Sequence, residues 1–365
     1  MNIIFWLEYP LFHVAPLIKS LSFHEGINIT VVTEFEIPQW RLDMGFYKPD
    51  FGLAKEYFCP GPQERKILIN DFSSNNDYHV FHGLRHVKEN FKCFKALVNK
   101  DTYVGLYFEP QQFAGSLKAK LRKMYYRLLM LRYGKKINFM LALGDLGANQ
   151  YIELGLPAHK VFPFEYYFDQ PTAESFYKNP SEKLSFLYAG QLVKRKNIGL
   201  VIDAINLVVK QGRSDFEFLI IGDGVEIGDL KRLVLGYELS HIIKFSNSVP
   251  SEELKSYYLN ADAFILASKF EGWGAVATEA MSFGLPLLIS DGCASSCIVK
   301  EDYHGLIFDN GSVESLKEHL NFFIKNSKQL MNESNRKKRV TYAAENFSGD
   351  AGSKKLVHIL NKVSN

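Results

Sequence analysis

The chain has 365 residues, which at about 150 residues per domain predicts two domains. With 47% hydrophobic and 23% charged residues, it is not a disordered, collagen-like or coiled-coil protein. The net charge of +3 is too small to indicate nucleic acid as a partner, and four scattered cysteines are too few for a disulfide framework. We therefore expect reduced cysteines and a cytoplasmic protein.

The first half alternates strand-like apolar runs with segments of helical period. The predicted strands are Ile3–Trp6, Ile27–Val32, His79–Phe81, Tyr103–Phe108 and Phe139–Leu143. The predicted helices are Val14–Phe23, Leu84–Val98, Leu117–Leu131 and Leu146–Leu154. Residues 38–76 are predicted as a long irregular excursion. Glu8 interrupts the apolar N-terminus, which is therefore a strand rather than a signal peptide, and no apolar run reaches the roughly 18 residues that span a bilayer.

The second half repeats this alternation more regularly. The predicted strands are Leu184–Ala189, Phe216–Ile221, Ile242–Phe245, Ala263–Ala267 and Pro286–Ile289. The predicted helices are Ile198–Lys210, Glu226–Gly236, Ser251–Asn260, Ala275–Phe283, Lys328–Glu345 and Ala351–Val363. Strands that alternate with helices predict a buried parallel sheet in a doubly wound, Rossmann-like domain. The domain boundary falls near residues 168–180, and the basic run Arg336–Arg339 is interpreted as a solvated helix face.

One candidate site follows the strand Leu184–Ala189. Gly190 lets a ligand approach the backbone, and three cations at 194–196 precede a helix that begins near Asn197. Cations beside a helix N-terminus suit a diphosphate. The later Gly-Asp-Gly at 222–224 lacks the third glycine and the downstream acid of a dinucleotide fingerprint, so we do not predict NAD.

A second candidate site surrounds two glutamates. Glu271 stands in a loop with Gly272 and Gly274, and Glu279 lies about one turn into the helix that follows. The first N–H groups of that helix can bind an anion. A carboxylate accepts two hydrogen bonds and therefore suits a pair of sugar hydroxyls.

Glu271 and Glu279, with seven residues between them and the sequence 280–286 after them, resemble the E-x7-E motif of the retaining glycosyltransferases of family 4. Residues 190–197 are similar to that family's first phosphate loop, and residues 249–262 and 305–308 to the segments that flank its motif. The resemblance covers roughly residues 184–320.

The resemblance implies an α/β fold of the GT-B class, with two Rossmann-like domains facing a central cleft. Residues 1–168 would form an acceptor-binding domain, onto which the helix 349–365 packs back. Residues 169–348 would form the domain that binds the nucleotide-sugar donor.

The resemblance also implies the role of each matching residue. Glu279 would bind the ribose hydroxyls, Lys196 and Arg195 the diphosphate, and Glu271 would lie near the donor sugar. The other donor-binding residues implied are Gly190, Gln191, Val249, Gly272, Trp273, Gly274, Ala275 and Val276. Gln191 replaces an arginine common in the family, so Lys194 or Arg195 would have to supply that cation.

The first half matches the family more loosely. Residues 78–83 resemble its strand-end histidine segment, which implies that His82 approaches the donor sugar. His82, Glu271 and Lys196 are therefore the catalytic candidates. Glu109 follows the strand Tyr103–Phe108 and is a candidate for contact with the acceptor.

The implied reaction moves a sugar from a UDP- or GDP-sugar to a glycan or lipid-linked acceptor in bacterial polysaccharide or O-antigen synthesis, with retention of configuration. Fixed cations and a helix N-terminus would stabilise the leaving diphosphate. No Asp-x-Asp triplet occurs, so we expect no essential metal and no other cofactor. A nucleotide-sugar epimerase of GT-B architecture and an inactive sugar-nucleotide or glycan-binding protein are the alternatives.

Residues 111–140 contain eight Lys or Arg residues and no acidic residue. A basic amphipathic helix can lie on anionic lipid, whereas a core-packed helix with a solvated basic face is the alternative. We expect residues 117–136 to rest on the inner face of the membrane.

Overall fold

The computed structural model describes residues 1–43, 47–84, 87–113, 115–169 and 183–364. These residues fall into two compact units. The first unit contains the described residues up to Asp169 and those from Phe347 onward, and the second contains residues 183–346. Most of the predicted boundary, residues 170–180, lies outside the described residues.

The first unit is built on a seven-stranded parallel sheet in the order β3-β2-β1-β4-β5-β6-β7. Its strands are β1 (Asn2–Leu7), β2 (Asn28–Thr33), β3 (Lys55–Phe58), β4 (Asp77–Phe81), β5 (Tyr103–Phe108), β6 (Phe139–Leu143) and β7 (Val161–Phe164). The central strands are almost continuously apolar and buried, because helices cover both faces of a parallel sheet.

The helices of the first unit include one from the end of the chain. They are α1 (Ala15–Ser22), α2 (Gln39–Asp43), α3 (Pro62–Asp71), α4 (Lys88–Leu97), α5 (Leu117–Tyr133), α6 (Gly144–Glu153) and α13 (Gly349–Ser364). Helix α13 packs on α1, where the Ser20 hydroxyl donates to Ser353 Oγ at 3.1 Å. Gly349 is needed at this contact, since a Cβ there would meet the Pro16 carbonyl oxygen at 2.2 Å.

The second unit is built on a six-stranded parallel sheet in the order β10-β9-β8-β11-β12-β13. Its strands are β8 (Leu184–Ala189), β9 (Phe216–Ile221), β10 (Ile243–Ser246), β11 (Ala263–Leu266), β12 (Leu287–Ser290) and β13 (Gly305–Phe308). Its helices are α7 (Ile198–Lys210), α8 (Ile227–Gly236), α9 (Ser251–Asn260), α10 (Ala275–Ser282), α11 (Val313–Leu330) and α12 (Glu333–Phe347). Both units are thus Rossmann-like, as predicted.

The prediction of an irregular excursion over residues 38–76 is wrong. This segment contains α2, the edge strand β3 and α3. Strand β3 begins with the charged Lys55 and Glu56, and three of its four residues are exposed, so it lacks the apolar run that marks a central strand. Helix α3 begins with a proline, and the Glu64 carboxylate accepts from the Gly61 N–H at 2.8 Å, a start signal that lies outside any apolar pattern.

The interpretation of the basic run 336–339 as a solvated face is wrong for two of its four side chains. Arg339 is buried and donates to the carbonyl oxygens of Gly284, Tyr303 and Leu330 at 2.6, 2.7 and 3.0 Å. Arg336 donates to two further carbonyls, those of residues 283 and 259. The predicted helix over 328–345 is also interrupted, because α11 ends at Leu330 and α12 begins at Glu333.

Candidate active site

The two candidate loops of the second unit lie at neighbouring strands. The order of strands reverses between β8 and β11, and ligands of doubly wound sheets bind at the carboxyl ends of the strands at such a point. The loop that begins at Gly190 follows β8, and the loop that contains Glu271 follows β11. The topology therefore brings together the two segments that the sequence singled out.

The loop after β8 is held in place by the Gly-Asp-Gly turn at 222–224. The N–H of Gly190 donates to the Ile221 carbonyl at 3.0 Å, and that of Leu192 donates to the Asp223 carbonyl at 2.8 Å. A Cβ on Gly222 would lie 1.9 Å from the carbonyl oxygen of Gly190. These glycines are therefore needed for backbone packing beneath the loop, which explains why they fit a dinucleotide fingerprint so poorly.

The cations of this loop meet the first glutamate of the motif. Lys194–Lys196 form a 3-10 turn before α7, and Lys196 is buried. Lys196 Nζ and Arg195 Nη1 each donate to Glu271 Oε2 at 2.5 Å, and the Ser268 hydroxyl adds a bond of 3.2 Å. Burial by itself would raise the pKa of Glu271, but the two cations together hold that pKa below its usual range. The Glu271 carboxylate thus neutralises Lys196 and Arg195, the two cations that are predicted to bind the diphosphate.

Gly274 creates the turn between Glu271 and α10. Its φ is +88°, and a Cβ would come within 2.8 Å of a Leu266 methyl group and 3.1 Å of Glu271 Cγ. The N–H of Glu271 donates to the Gly292 carbonyl at 3.1 Å, which anchors the loop. Since α10 begins at Ala275, its first N–H groups lie next to this loop without helical partners.

Glu279 lies one turn into α10 and is half-buried. Burial raises the pKa of its carboxyl, and a hydrogen bond of 3.3 Å from the Tyr258 hydroxyl opposes that shift. Tyr258 is itself buried and stacks on Phe283 at 5.5 Å. Tyr258 was not predicted from the sequence, because it lies in α9 and carries no motif.

The remaining donor-site candidates contribute in different ways. Trp273 is only 1% exposed, so its side chain lies in the core and does not face a ligand. The Gln191 carbonyl accepts from the Tyr188 hydroxyl at 2.9 Å, which supports the loop from below. Next to the half-buried Val249, the Ser248 hydroxyl and N–H donate to Asp223 Oδ2 at 2.6 and 3.0 Å.

In the first unit, His82 and Glu109 lie at the carboxyl ends of β4 and β5 and are joined by a tyrosine. The Tyr166 hydroxyl donates to Glu109 Oε1 at 2.8 Å and lies 3.3 Å from His82 Nε2. Burial, assisted by Arg41, lowers the pKa of His82 to about 4, so the ring is neutral at pH 7. Tyr166 was not predicted from the sequence, since it follows β7, a strand that was not predicted either.

Comparisons with known proteins now identify the second unit. Residues 169–345 match the family model described as glycosyl transferases group 1. This match covers a little under half of the chain. The predicted resemblance to glycosyltransferases is therefore confirmed.

Named glycosyltransferases align with parts of this chain. The amylovoran biosynthesis glycosyltransferase AmsD of Erwinia amylovora is 30% identical over 181 residues, which are 49% of this chain and 47% of that protein. An Escherichia coli UDP-Gal:alpha-D-GlcNAc-diphosphoundecaprenol alpha-1,3-galactosyltransferase is 28% identical over 138 residues, 36% of this chain and 34% of that enzyme. The aligned part spans about a third to a half of the length of these curated relatives.

Solved glycosyltransferase structures share the fold over nearly the whole chain. The crystal structure of Anabaena Alr3699/HepE in complex with UDP has a TM-score of 0.74 at 12% identity and covers 99% of this chain and 100% of that one. The apo form of the lipopolysaccharide outer core galactosyltransferase WaaB has a TM-score of 0.69 at 15% identity, with 99% of each chain covered. The predicted GT-B fold class is confirmed.

Proposed function

We propose that the protein is a retaining glycosyltransferase that moves a hexose from a nucleotide-diphospho-sugar to a glycan or lipid-linked acceptor. The observation that carries this proposal is the meeting of Lys196, Arg195 and Glu271 beside the N-terminus of α10, with Glu279 one turn further on. Two cations and a helix N-terminus suit a diphosphate, and the half-buried carboxylate of Glu279 suits ribose hydroxyls.

Each residue has a defined part in the proposed reaction. As the bond to the anomeric carbon breaks, negative charge develops on the leaving diphosphate, and Lys196 and Arg195 stabilise that charge. Glu271 leaves the two cations as the diphosphate arrives and then lies near the sugar. Glu279 holds the ribose. Gly190, Gln191, Val249 and the backbone of residues 272–276 complete the donor site.

The proposed reaction uses no metal ion. Among the residues that the structure describes, no group of three or more His, Cys, Asp or Glu side chains is placed to hold one. Metal independence itself stays a prediction, which transfer assays in chelator and in Mg²⁺ test directly.

In the first unit, we assign His82 to the donor sugar and the region of Glu109 to the acceptor. Tyr166 ties the two together and sets the tautomer of His82. The Tyr166 hydroxyl donates its only proton to Glu109 Oε1, so its oxygen is left to accept from His82 Nε2–H. His82 Nδ1 is then the ring acceptor, and no group among the described residues is hydrogen-bonded to it.

The names of the relatives favour uridine and a surface polysaccharide. One curated relative is named for UDP-galactose and a diphosphoundecaprenol-linked acceptor, and the solved HepE complexes contain UDP or UDP-glucose. We therefore propose a UDP-sugar as the first donor to test, with a GDP-sugar as the second. A lipid-linked acceptor also places the protein at the inner face of a membrane, as a peripheral rather than a spanning protein.

Thermal unfolding with UDP, GDP, ADP and CMP tests the donor site. A ligand at 100 times its Kd adds about 2.7 kcal/mol of stability, which is visible as a rise in Tm. We expect one nucleoside diphosphate to raise Tm in the wild type and in the exposed control Glu318→Ala, but not in Glu279→Ala. If no nucleotide raises Tm, or if Glu279→Ala responds like the wild type, the donor site is wrongly assigned.

Mass spectrometry of the products then tests the activity. A transferase gives free nucleoside diphosphate and a larger glycan when an acceptor extract is added. A new sugar nucleotide formed from donor alone would instead establish an epimerase, and nucleotide binding without turnover in any extract would establish an inactive binding protein.

A further inference from the structure

Helix α5 has two apolar faces, and the fold covers only one of them. The inner face buries Ala119, Tyr126, Leu129 and Met130. On the other side, five large apolar side chains are exposed by 51% to 73%, namely Leu117, Leu121, Met124, Leu128 and Leu131. Packing within the unit does not account for this second set, which we call the outer stripe.

The outer stripe is continuous along the helix. Its members stand at positions i, i+4, i+7, i+11 and i+14, and at 3.6 residues per turn they fall within an arc of about 80°. The stripe therefore runs the full length of α5 as a narrow apolar ridge.

Unpaired cations flank the outer stripe on both sides. Seven of the eight basic residues of 111–140 are exposed, and within the described residues none of the eight forms an ion pair with an acidic side chain. On the helical projection, about 60–120° from the centre of the stripe, one flank carries Lys118 and Arg132 and the other carries Lys120, Lys123 and Arg127. The exposed Lys135 and Lys136 follow the end of the helix.

We propose that α5 lies in the headgroup layer of an anionic membrane, with the outer stripe inserted to the acyl boundary and the flanking cations on lipid phosphates. The proposal rests on the peripheral membrane association proposed above and names the surface responsible. An apolar ridge between two cationic flanks is the pattern of helices that lie in a membrane interface.

The charge of this face argues against a symmetric dimer through α5. A symmetric dimer would place the same unpaired cations opposite one another, with no acid in residues 111–140 to neutralise them. Helix α5 also lies along the membrane rather than across it, since its 17 residues include six cations. Nowhere in the described parts of the chain is a helix both long and apolar enough to cross a bilayer.

Vesicle flotation tests this surface with matched variants of the whole protein. We expect the wild type to float with vesicles that contain phosphatidylglycerol at low salt and to stay below vesicles of phosphatidylcholine alone. The variant Leu121→Gln/Met124→Gln/Leu128→Gln should bind roughly a hundredfold more weakly, because three inserted apolar side chains are lost. The control Leu53→Gln/Val225→Gln/Leu235→Gln removes three apolar side chains elsewhere that are even more exposed, and it should float like the wild type.

Three outcomes would overturn the proposal. The first is a wild type that does not float with anionic vesicles. The second is an outer-stripe variant that floats as well as the wild type, which would mean that the cations alone bind the membrane. The third is a wild-type dimer in sedimentation that the outer-stripe variant abolishes without any vesicle binding.

Nucleotide-induced changes in Tm, measured without vesicles, keep this test separate from the donor site. If UDP raises Tm but the protein does not float, only the membrane proposal is contradicted. If the protein floats but no nucleotide raises Tm, only the donor-site proposal is contradicted. All three substituted side chains are exposed, so the variant should unfold at the wild-type temperature, which confirms that it is folded.

Discussion

Replacing Glu271 by glutamine should lower the stability of the ligand-free protein and increase the stabilisation that a bound nucleoside diphosphate provides. Without ligand, the Glu271 carboxylate neutralises Lys196, whose side chain is 10% exposed, and Arg195, which is 42% exposed. Removing one partner of a buried ion pair costs about 3–5 kcal/mol. Because Arg195 remains hydrated and glutamine still accepts a hydrogen bond, we expect about 3 kcal/mol.

This loss corresponds to a fall in Tm of about 6–12 °C for a unit of this size. A diphosphate placed on the two cations supplies the missing negative charge, so most of the loss should be recovered when ligand is bound. The assay is thermal unfolding of wild type, Glu271→Gln and the exposed control Glu318→Gln, each with and without the nucleotide that binds. The rise in Tm should be larger in Glu271→Gln than in the wild type and equal to it in the control.

Two results would refute this reasoning. If Glu271→Gln unfolds at the wild-type temperature, the carboxylate does not stabilise the cations. If its response to nucleotide is smaller than that of the wild type, Glu271 contacts the nucleotide instead of competing with it for the cations. Should the single variant fail to fold, Lys196→Met/Glu271→Gln removes both partners of the buried pair, so it should fold better than the single variant while binding nucleotide weakly.

Further substitutions probe the supports of the site. Gly222→Ala should destabilise the fold by more than about 2 kcal/mol and weaken nucleotide binding, because its Cβ would meet the Gly190 carbonyl. The control Gly199→Ala, in open space within α7, should be neutral or stabilising. Equal Tm values for the two variants would contradict this prediction. Tyr166→Phe should lower kcat/KM by roughly tenfold or more without loss of Tm. Histidine-selective ¹⁵N spectra of this variant should show that His82 no longer holds its proton on Nε2. An unchanged spectrum would mean that Tyr166 does not set the tautomer of His82. Arg339→Met should lower the free energy of unfolding by about 3 kcal/mol, since three carbonyls, two of them buried, lose their donor. The exposed Lys337→Met should change the free energy of unfolding by less than about 0.5 kcal/mol. Stability should fall as the pH drops from about 6.5 to about 4, because burial lowers the pKa of His79 and of His82 to about 4. In this range only the unfolded chain takes up protons on these two histidines. The free energy of unfolding in urea, measured at pH 7 and pH 5, should therefore fall by up to about 1.4 kcal/mol per pH unit for each histidine.

Local patterns predicted the second unit well and the first unit in part. The strands β8 and β9 and the helices α7 and α9 begin and end where the apolar periodicity placed them. The edge strand β3 escaped prediction because it begins with two charged residues, and β7 because its four residues include a proline. Periodicity reports burial, so it identifies central strands far better than edges.

The donor-site candidates came from residue types and spacing, but their partners did not. Lys196 and Glu271 are 75 residues apart, and their ion pair depends on the adjacency of β8 and β11 in the sheet. The same holds for Tyr258 beside Glu279 and for Tyr166 beside Glu109, which no local signal marks.

The sequence by itself determined the alternation of strands and helices, the turn glycines and the residue types of the candidate site, because these depend on neighbours a few positions away. The tertiary structure decided which of these groups meet and which surfaces stay uncovered. Arg339 belongs to a basic run yet is buried, and the leucines of α5 divide between a packed face and an exposed stripe. The spacing of apolar residues in the sequence shows which face of a helix each side chain occupies. The element that covers that face comes from distant parts of the chain, so only the tertiary structure shows whether the face is buried.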